Sequence, residues 1–480
     1  MDSLTRRQRS NDEFLGEGSY GCVYYPGIDC KGKKNTKKTV TKVQEINFYS
    51  KNEKIIGFLI RKNIMNFKNF FGPIIKACTV TFDIVENSNL NLKKCNTLFE
   101  DYNSSIANVI NYTYDTHDTH DTYDTLKQTV NTEYFLMYSY YIKNKSLKEY
   151  YSNTDYANYA NYVISILNNF SYLLISLILL NKNKLIHNDL HIHNILINLK
   201  INKPIIIDFG LSFQINKCYK SNKNTIDFYY LKKFIFDFRV DYYHVNIEKR
   251  FICFFTYNVN EDFYSVIDTN DAENILTKDI IDLFINDSYN SIADNKEISI
   301  YFSSAELSEY KKALQQFYYQ FYNKTTYPTY SSIIKYLLDF VYAYNDLYSL
   351  TIDLFYIHYN NKVFLENVDT NENKNLKIFL EFFLQLYKKV LHPNPNMRLK
   401  LNEVYNIYMF IINYIKNIEV NIITNNSVNI EYTAYFIIAF TKFLKSKSIS
   451  IEVVFNKKFA FLNFKLLCNK TMFKFIKLNI

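Results

Sequence analysis

Three short stretches of this chain combine residue types suited to phosphate chemistry. The first is Gly16-Glu17-Gly18-Ser19-Tyr20-Gly21-Cys22-Val23, with three glycines in a G-x-G-x-x-G-x-V spacing. Such glycines let a tight hairpin bring backbone N–H groups over phosphate oxygens without Cβ clashes. With 8 glycines among 480 residues, chance would produce the spacing about 0.002 times in a chain this long. A dinucleotide-binding fingerprint would pass at once into a helix. Here Cys22-Val23-Tyr24-Tyr25 continues as a strand, which favours a hairpin that covers phosphates. The second stretch, Leu185–Asn198, places Asp189 two residues after His187 and Asn194 five after Asp189. Asp189 can accept the proton of an attacking hydroxyl, and the Asn194 amide oxygen can ligate Mg²⁺. The third, Ile205-Ile206-Ile207-Asp208-Phe209-Gly210, delivers an acid from an apolar strand into a turn 14 residues beyond Asn194. Asp208 there would hold a Mg²⁺ bridging nucleotide phosphates.

Two histidine groups invite a metal reading and do not sustain it. His191 and His193 would diverge on a strand, with no cysteine or further acid beside them. His117 and His120 lie in the repeat YDTHDTHDTYDT at 114–125, which reads as a solvated low-complexity loop.

The elements needed to present these residues are visible in the pattern. Phe14–Tyr25 reads as a hairpin, Val40–Val43 as a short strand and Asn52–Ile64 as a helix. Phe71–Val85 and Glu133–Tyr141 read as further strands, separated by a polar segment at 86–132. From Ser146 the character is helical, with a long helix at Asn158–Leu180, then short strands at Ile195–Asn198 and Pro204–Ile207. Residues 211–340 mix aromatic patches with Asn/Lys linkers, and the aromatic stripe at 251–265 reads as core. Helical periodicity returns at Asp346–Tyr359, Leu376–Leu391 and Leu401–Ile418.

Composition excludes several function classes. A hydrophobic share of 48% rules out whole-chain disorder. The 45 Tyr, 40 Phe and 0 Trp read as AT-rich codon bias before they read as function. A net charge of +9, spread as scattered lysines, argues against a nucleic-acid partner. The longest strongly apolar run, Phe170–Leu180, is short of the about 20 residues of a spanning helix, so no membrane partner is expected. The N-terminus lacks the apolar stretch of a signal peptide. Seven cysteines without CxxC spacing predict reduced thiols, Cys22 and Cys30 included, and an intracellular, cytoplasmic protein.

Taken together, the three stretches resemble the eukaryotic-type serine/threonine protein kinases over roughly residues 10–410. The resemblance implies an α+β, two-lobed protein-kinase-like fold, with ATP bound between a β-rich small lobe and a helical large lobe. The small lobe would span 10–140 with a polar insertion at about 86–132. The large lobe would span 141–410 with a long insertion at about 212–340, and 411–480 would be a C-terminal extension. ATP and Mg²⁺ are the implied cofactors and a protein hydroxyl the implied acceptor. Nucleotide contacts are expected from Gly16, Glu17, Gly18, Ser19, Tyr20, Gly21, Val23, Lys42 and Glu53, metal ligation from Asn194 and Asp208, and catalysis from Asp189, Lys42 and His191. Lys42 matches the phosphate-contacting lysine. Glu53 is its expected ion-pair partner, with Glu45 as the rival, and the nucleotide hinge falls within Tyr138–Ile142.

Downstream, Asp346-Leu347-Tyr348-Ser349-Leu350 resembles the start of the family's central helix, with Thr351 where glycine is usual. Asp346 would anchor the loop that carries Asp189. His392-Pro393-Asn394-Pro395-Asn396-Met397-Arg398 resembles a late element whose arginine pairs with a buried glutamate, for which Glu248 is a candidate. The opening segment and the composition are also similar to divergent kinases of large cytoplasmic DNA viruses, which would place the protein in host cytoplasm or virion. Departures are specific. Asn188 replaces an arginine that grips a phosphorylated activation loop, His191 stands where a phosphate-neutralising lysine is usual, and no A-P-E occurs. H-N-D-L-H-x-x-N also resembles small-molecule phosphotransferases of the choline and aminoglycoside kinase type, which generally lack the glycine pattern, the Phe-Gly after the metal acid and the late arginine. An inactive kinase-like scaffold is the third reading.

Overall fold

A computed structural model describes residues 13–18, 21–35, 38–88, 90–98, 133–152, 159–221, 225–236, 243–258, 273–361 and 383–424. Ser19, Tyr20, the repeat at 114–125 and the tail beyond 424 lie outside the described residues. The described chain is α+β, with an antiparallel sheet in its N-terminal part and helices in its C-terminal part. It divides into two compact units, Met1–Asn144 with Asn198–Ser212, and Lys145–Ile197 with Phe213–Ile480. The 198–212 segment belongs to the first unit. Backbone hydrogen bonding explains this: Ile206 N–H donates to Phe70 O at 2.9 Å and Gly72 N–H to Ile206 O at 2.8 Å.

The first unit is built on a five-stranded sheet of order β1-β2-β3-β5-β4. The strands are β1 Glu13–Gly18, β2 Gly21–Tyr25, β3 Thr39–Glu45, β4 Lys76–Thr81 and β5 Glu133–Tyr140. Alternation along β5 sends Tyr134, Leu136 and Tyr138 into one core with Cys22, Tyr24 and Val43. Phe135 and Met137 go into a second, with Ile74. An interior strand buried on both faces therefore reads as one apolar run. Register pairs Val23 with Lys42, and Lys42 with Met137, which puts the three on one face.

Helix α1, Phe48–Asn63, begins before the expected Asn52 because Asn47 caps it. Asn47 Oδ1 accepts from Ser50 N–H and Ser50 Oγ accepts from Asn47 N–H, both at 2.9 Å, a reciprocal capping box. Its buried stripe is Ser50, Glu53, Ile56, Gly57 and Ile60. A Cβ on Gly57 would stand 2.6 Å from Ile74 O, so only glycine lets α1 come this close. The strand expected over Phe71–Val85 is shorter, at β4, and the chain turns into helix α2 at Phe82–Glu86. Gly72-Pro73 interrupts it, since proline has no N–H for a ladder.

The cysteine expectation is overturned. Cys22 is bonded to Cys95 and Cys30 to Cys78, with Cα–Cα distances of 5.9 and 6.1 Å. The partners stand 73 and 48 residues apart, so no local spacing announces them, and the sheet brings them together. Cys218 and Cys253 are buried and form no disulfide among the described residues.

The second unit is helical: α3 Tyr159–Lys182, α4 Ile247–Asn258, α5 Lys278–Ala293, α6 Ser304–Tyr318, α7 Tyr330–Asn360 and α8 Leu401–Thr424. The stretch 211–340 contains α4–α6 and the start of α7. Its aromatic residues pack as core: the Phe251 ring lies 4.7 Å from Phe284 and 4.9 Å from Tyr318. The helical period expected from Asp346 extends back to Tyr330, and Leu347–Phe355 is buried throughout. No helix among the described residues is long and apolar enough to cross a membrane.

Candidate functional site

In the first unit the side chain of Lys42 reaches two carboxylates. Its Nζ donates to Glu53 Oε2 at 3.0 Å and lies 3.5 Å from Asp208 Oδ2. Strand β3 supplies the lysine and the second turn of α1 the glutamate. The Ile205–Gly210 segment, hydrogen-bonded to Phe70 and Gly72, supplies Asp208. Glu45, the rival partner, is exposed at the end of β3 opposite Tyr134. Burial alone would lower the Lys42 pKa, but the Asp208 and Glu53 carboxylates outweigh it and hold the ammonium above the ordinary lysine value. Burial raises Glu53, with Lys42 pulling the other way.

Asp208 differs from both partners in exposure, at 42% against 14% for Lys42 and 5% for Glu53. One carboxylate thus closes a buried ion pair while the other presents oxygen to solvent beside the same cation. Asp208 adopts φ +58°, a left-handed conformation that aspartate tolerates better than bulkier residues. Its neighbours hold it there. Phe209 is buried with its ring 6.0 Å from Phe71, edge to face. Asn52 Nδ2 donates to Gly210 O at 2.8 Å and to Ser212 O at 2.7 Å. Asn52 escaped the sequence reading. Its place beside Glu53 on the same helix is the signal that could have found it.

The glycine hairpin is the β1–β2 turn, with Gly18 opposite Gly21. A Cβ on Gly21 would stand 2.2 Å from Val43 O, so the sheet itself requires this glycine. Among the described residues a Cβ on Gly18 would meet nothing within 4 Å, so packing does not demand that glycine; Gly16 has the same open space but sits at φ +159°, beside a bulge in β1, where L side chains are strained. Glu17 Oε2 accepts from Asn96 N–H at 3.0 Å and Thr97 Oγ1 at 3.4 Å, next to the Cys22–Cys95 crosslink. Val23 is half-buried opposite Lys42. Beyond β5, the Tyr141 ring stacks on Tyr25 at 3.7 Å within the expected hinge segment.

In the second unit, Asp189, His191 and Asn194 share the loop between the strands Leu185–Ile186 and Ile195–Asn198. Asn194 Nδ2 donates to Asp189 O at 2.9 Å and Asp189 Oδ2 at 3.2 Å. His191 Nε2 lies 3.1 Å from the Asn194 amide and 3.8 Å from Asp189 Oδ2, while its Nδ1 accepts from His193 N–H at 3.2 Å. Leu190 and Ile192 are buried and fasten the loop between the functional side chains. Asp346, on α7, accepts from both His187 N–H at 2.7 Å and Asn188 N–H at 2.9 Å. Glu248 at the start of α4 meets Arg398 through bonds of 2.7 and 2.9 Å, with both side chains fully buried. Lys249, which the sequence reading passed over, donates to Asn188 Oδ1 at 2.5 Å.

Magnesium favours oxygen ligands and keeps several waters, so it needs one or two protein oxygens rather than a closed cage. The donor chemistry fits. Asp208 offers exposed carboxylate oxygen, and Asn194 has its amide nitrogen engaged by Asp189, which leaves the amide oxygen as its ligand atom. Among the described residues there is no cluster of three or more His, Cys, Asp or Glu that would make a self-sufficient metal cage. No protein-family model matches the chain, and no curated protein matches it either.

Proposed function

We propose that the protein is an ATP-dependent serine/threonine protein kinase with a two-lobed kinase-like fold. The observation that carries this reading is the Lys42 cluster: one cation held by a buried glutamate at 3.0 Å beside an exposed aspartate at 3.5 Å, on the sheet that bears the glycine hairpin. A bare hairpin backbone at Gly16 and Gly18 suits close approach of phosphate oxygens. Lys42, kept protonated by its two carboxylates, orients and neutralises those oxygens. Asp189 accepts the acceptor hydroxyl's proton, with Asn194 and His191 fixing its carboxylate. Asp208 and Asn194 are the residues that would each ligate magnesium, whose charge offsets that of the triphosphate.

The test is transfer of labelled γ-phosphate to serine or threonine of a generic protein acceptor in ATP and Mg²⁺. Asp189→Asn should lower kcat about 10²–10⁴-fold, and Asp208→Ala should abolish labelling. Labelling confined to choline or aminoglycoside-type acceptors would replace this reading with a small-molecule phosphotransferase. Nucleotide binding without turnover, unchanged in Asp189→Ala, would replace it with an inactive scaffold.

A further inference from the structure

Asn188 is held from three sides within the second unit. Its backbone N–H donates to Asp346 on α7, its Nδ2 to Phe234 O at 3.1 Å, and its Oδ1 accepts from Lys249 Nζ at 2.5 Å. It adopts φ +69°, so these contacts hold a left-handed residue immediately before Asp189. Lys249 is fully buried, and its own N–H donates to Asn246 Oδ1 at 3.1 Å, which secures the start of α4. The residue before it, Glu248, is bonded to Arg398, so two consecutive side chains fasten this turn to two different parts of the unit. The acidic groups whose charge reaches Lys249 are Asp189, Asp346 and the Cys253 thiol. Burial draws its pKa down to about 7 against their opposing pull. A lysine buried at such cost, aimed at the residue beside the proposed base, has a positional task rather than a solvation one.

We propose that Lys249 is a positioning residue for Asp189, an internal donor that locks the 187–194 loop through the Asn188 side chain. The proposal rests on the phosphotransfer reading and adds to it a mode of regulation. The loop is set by a lysine from the chain's own interior, so activity does not wait on phosphorylation of the segment after Gly210.

Lys249→Met keeps most of the length of the side chain and removes the donor to Asn188 Oδ1. It should lower kcat about a hundredfold, the cost of misplacing a reacting group by an ångström, with KM for ATP unchanged. Amide exchange over residues 187–194 should quicken. Asn188→Gly, which suits the left-handed backbone and removes the acceptor for Lys249, should reproduce both effects. Phosphatase treatment of wild type should leave its rate unchanged. An active wild type matched within twofold by Lys249→Met, with exchange unaltered, overturns the proposal, as does loss of activity on phosphatase treatment. A wild type inactive toward every acceptor sinks the kinase reading instead, and the exchange measurement then decides the Lys249 contact by itself.

Discussion

Arg398→Met offers the most direct measure of how the helical unit is held. The Arg398 and Glu248 side chains are 0% exposed and meet through two bonds of 2.7 and 2.9 Å. The methionine fills most of the volume but leaves the Glu248 carboxylate inside with the Tyr318 hydroxyl donating to it at 3.3 Å. Removing one partner of a buried pair costs about 3–5 kcal/mol, because the other charge stays desolvated. The Arg398 Nε bond to His392 O, at 2.6 Å, is lost as well. In a unit of this size each kcal/mol corresponds to about 2–4 °C, so the melting temperature should fall by roughly 6–20 °C. Adding Glu248→Gln removes the stranded charge, and the double variant should regain roughly 2–3 kcal/mol relative to the sum of the two single changes. Urea unfolding followed by circular dichroism measures all four proteins, with equal slopes showing that the exposed surface is unchanged. Strictly additive single changes, or a melting temperature within about 2 °C of wild type in Arg398→Met, would refute the reasoning from desolvation.

Two further outcomes test other parts of the molecule. Asp353 is fully buried, and among the described residues neither carboxylate oxygen makes a hydrogen bond, although the Ile192 N–H approaches it. Burial raises its pKa well above the usual carboxylate range. The folded state therefore keeps a proton that the unfolded chain releases above about pH 4, and stability falls as pH rises from there. Asp353→Asn should raise stability at pH 7 by about 1–3 kcal/mol and flatten its pH dependence; a destabilised variant would contradict this. Non-reducing peptide maps should recover the Cys22–Cys95 and Cys30–Cys78 crosslinks, and dithiothreitol should destabilise the sheet unit. The loss is about 4 kcal/mol for either loop taken alone, and since one loop lies inside the other the second crosslink closes a shorter effective loop and adds less than its separate value. Four alkylated thiols in native protein under non-reducing conditions would contradict the pairing.

What the sequence made legible was local. Ile195–Asn198 has the expected bounds because a short apolar strand framed by turn residues leaves one period to assign. Asp208 could be singled out by type and spacing, Lys42 and Glu53 only through the family resemblance, and Glu53 could be preferred to Glu45 because Glu45 lies too close to Lys42 to leave its strand. What stayed hidden was pairing across distance. The disulfides join residues 73 and 48 apart, and the Lys249–Asn188 contact spans 61. No periodicity encodes such meetings, because they are decided by how elements stack. The helices within 211–340 were not assigned from the sequence, for a different reason. Of these, α4 is buried at every position from Ile247 to Thr256, so it lacks the amphipathic contrast that marks a surface helix.

Asp346 stands sixteen residues into the 31-residue α7 and takes two successive amides with its two oxygens. A rigid rod carrying a fork at its midpoint behaves as a ruler. One residue inserted between 330 and 345 would swing the fork by about 100° and release both amides. The same insertion before Thr329, ahead of the helix cap, would pass unnoticed at the 187–188 peptide. Length variation in this chain is therefore permitted ahead of the rod and forbidden within its first half.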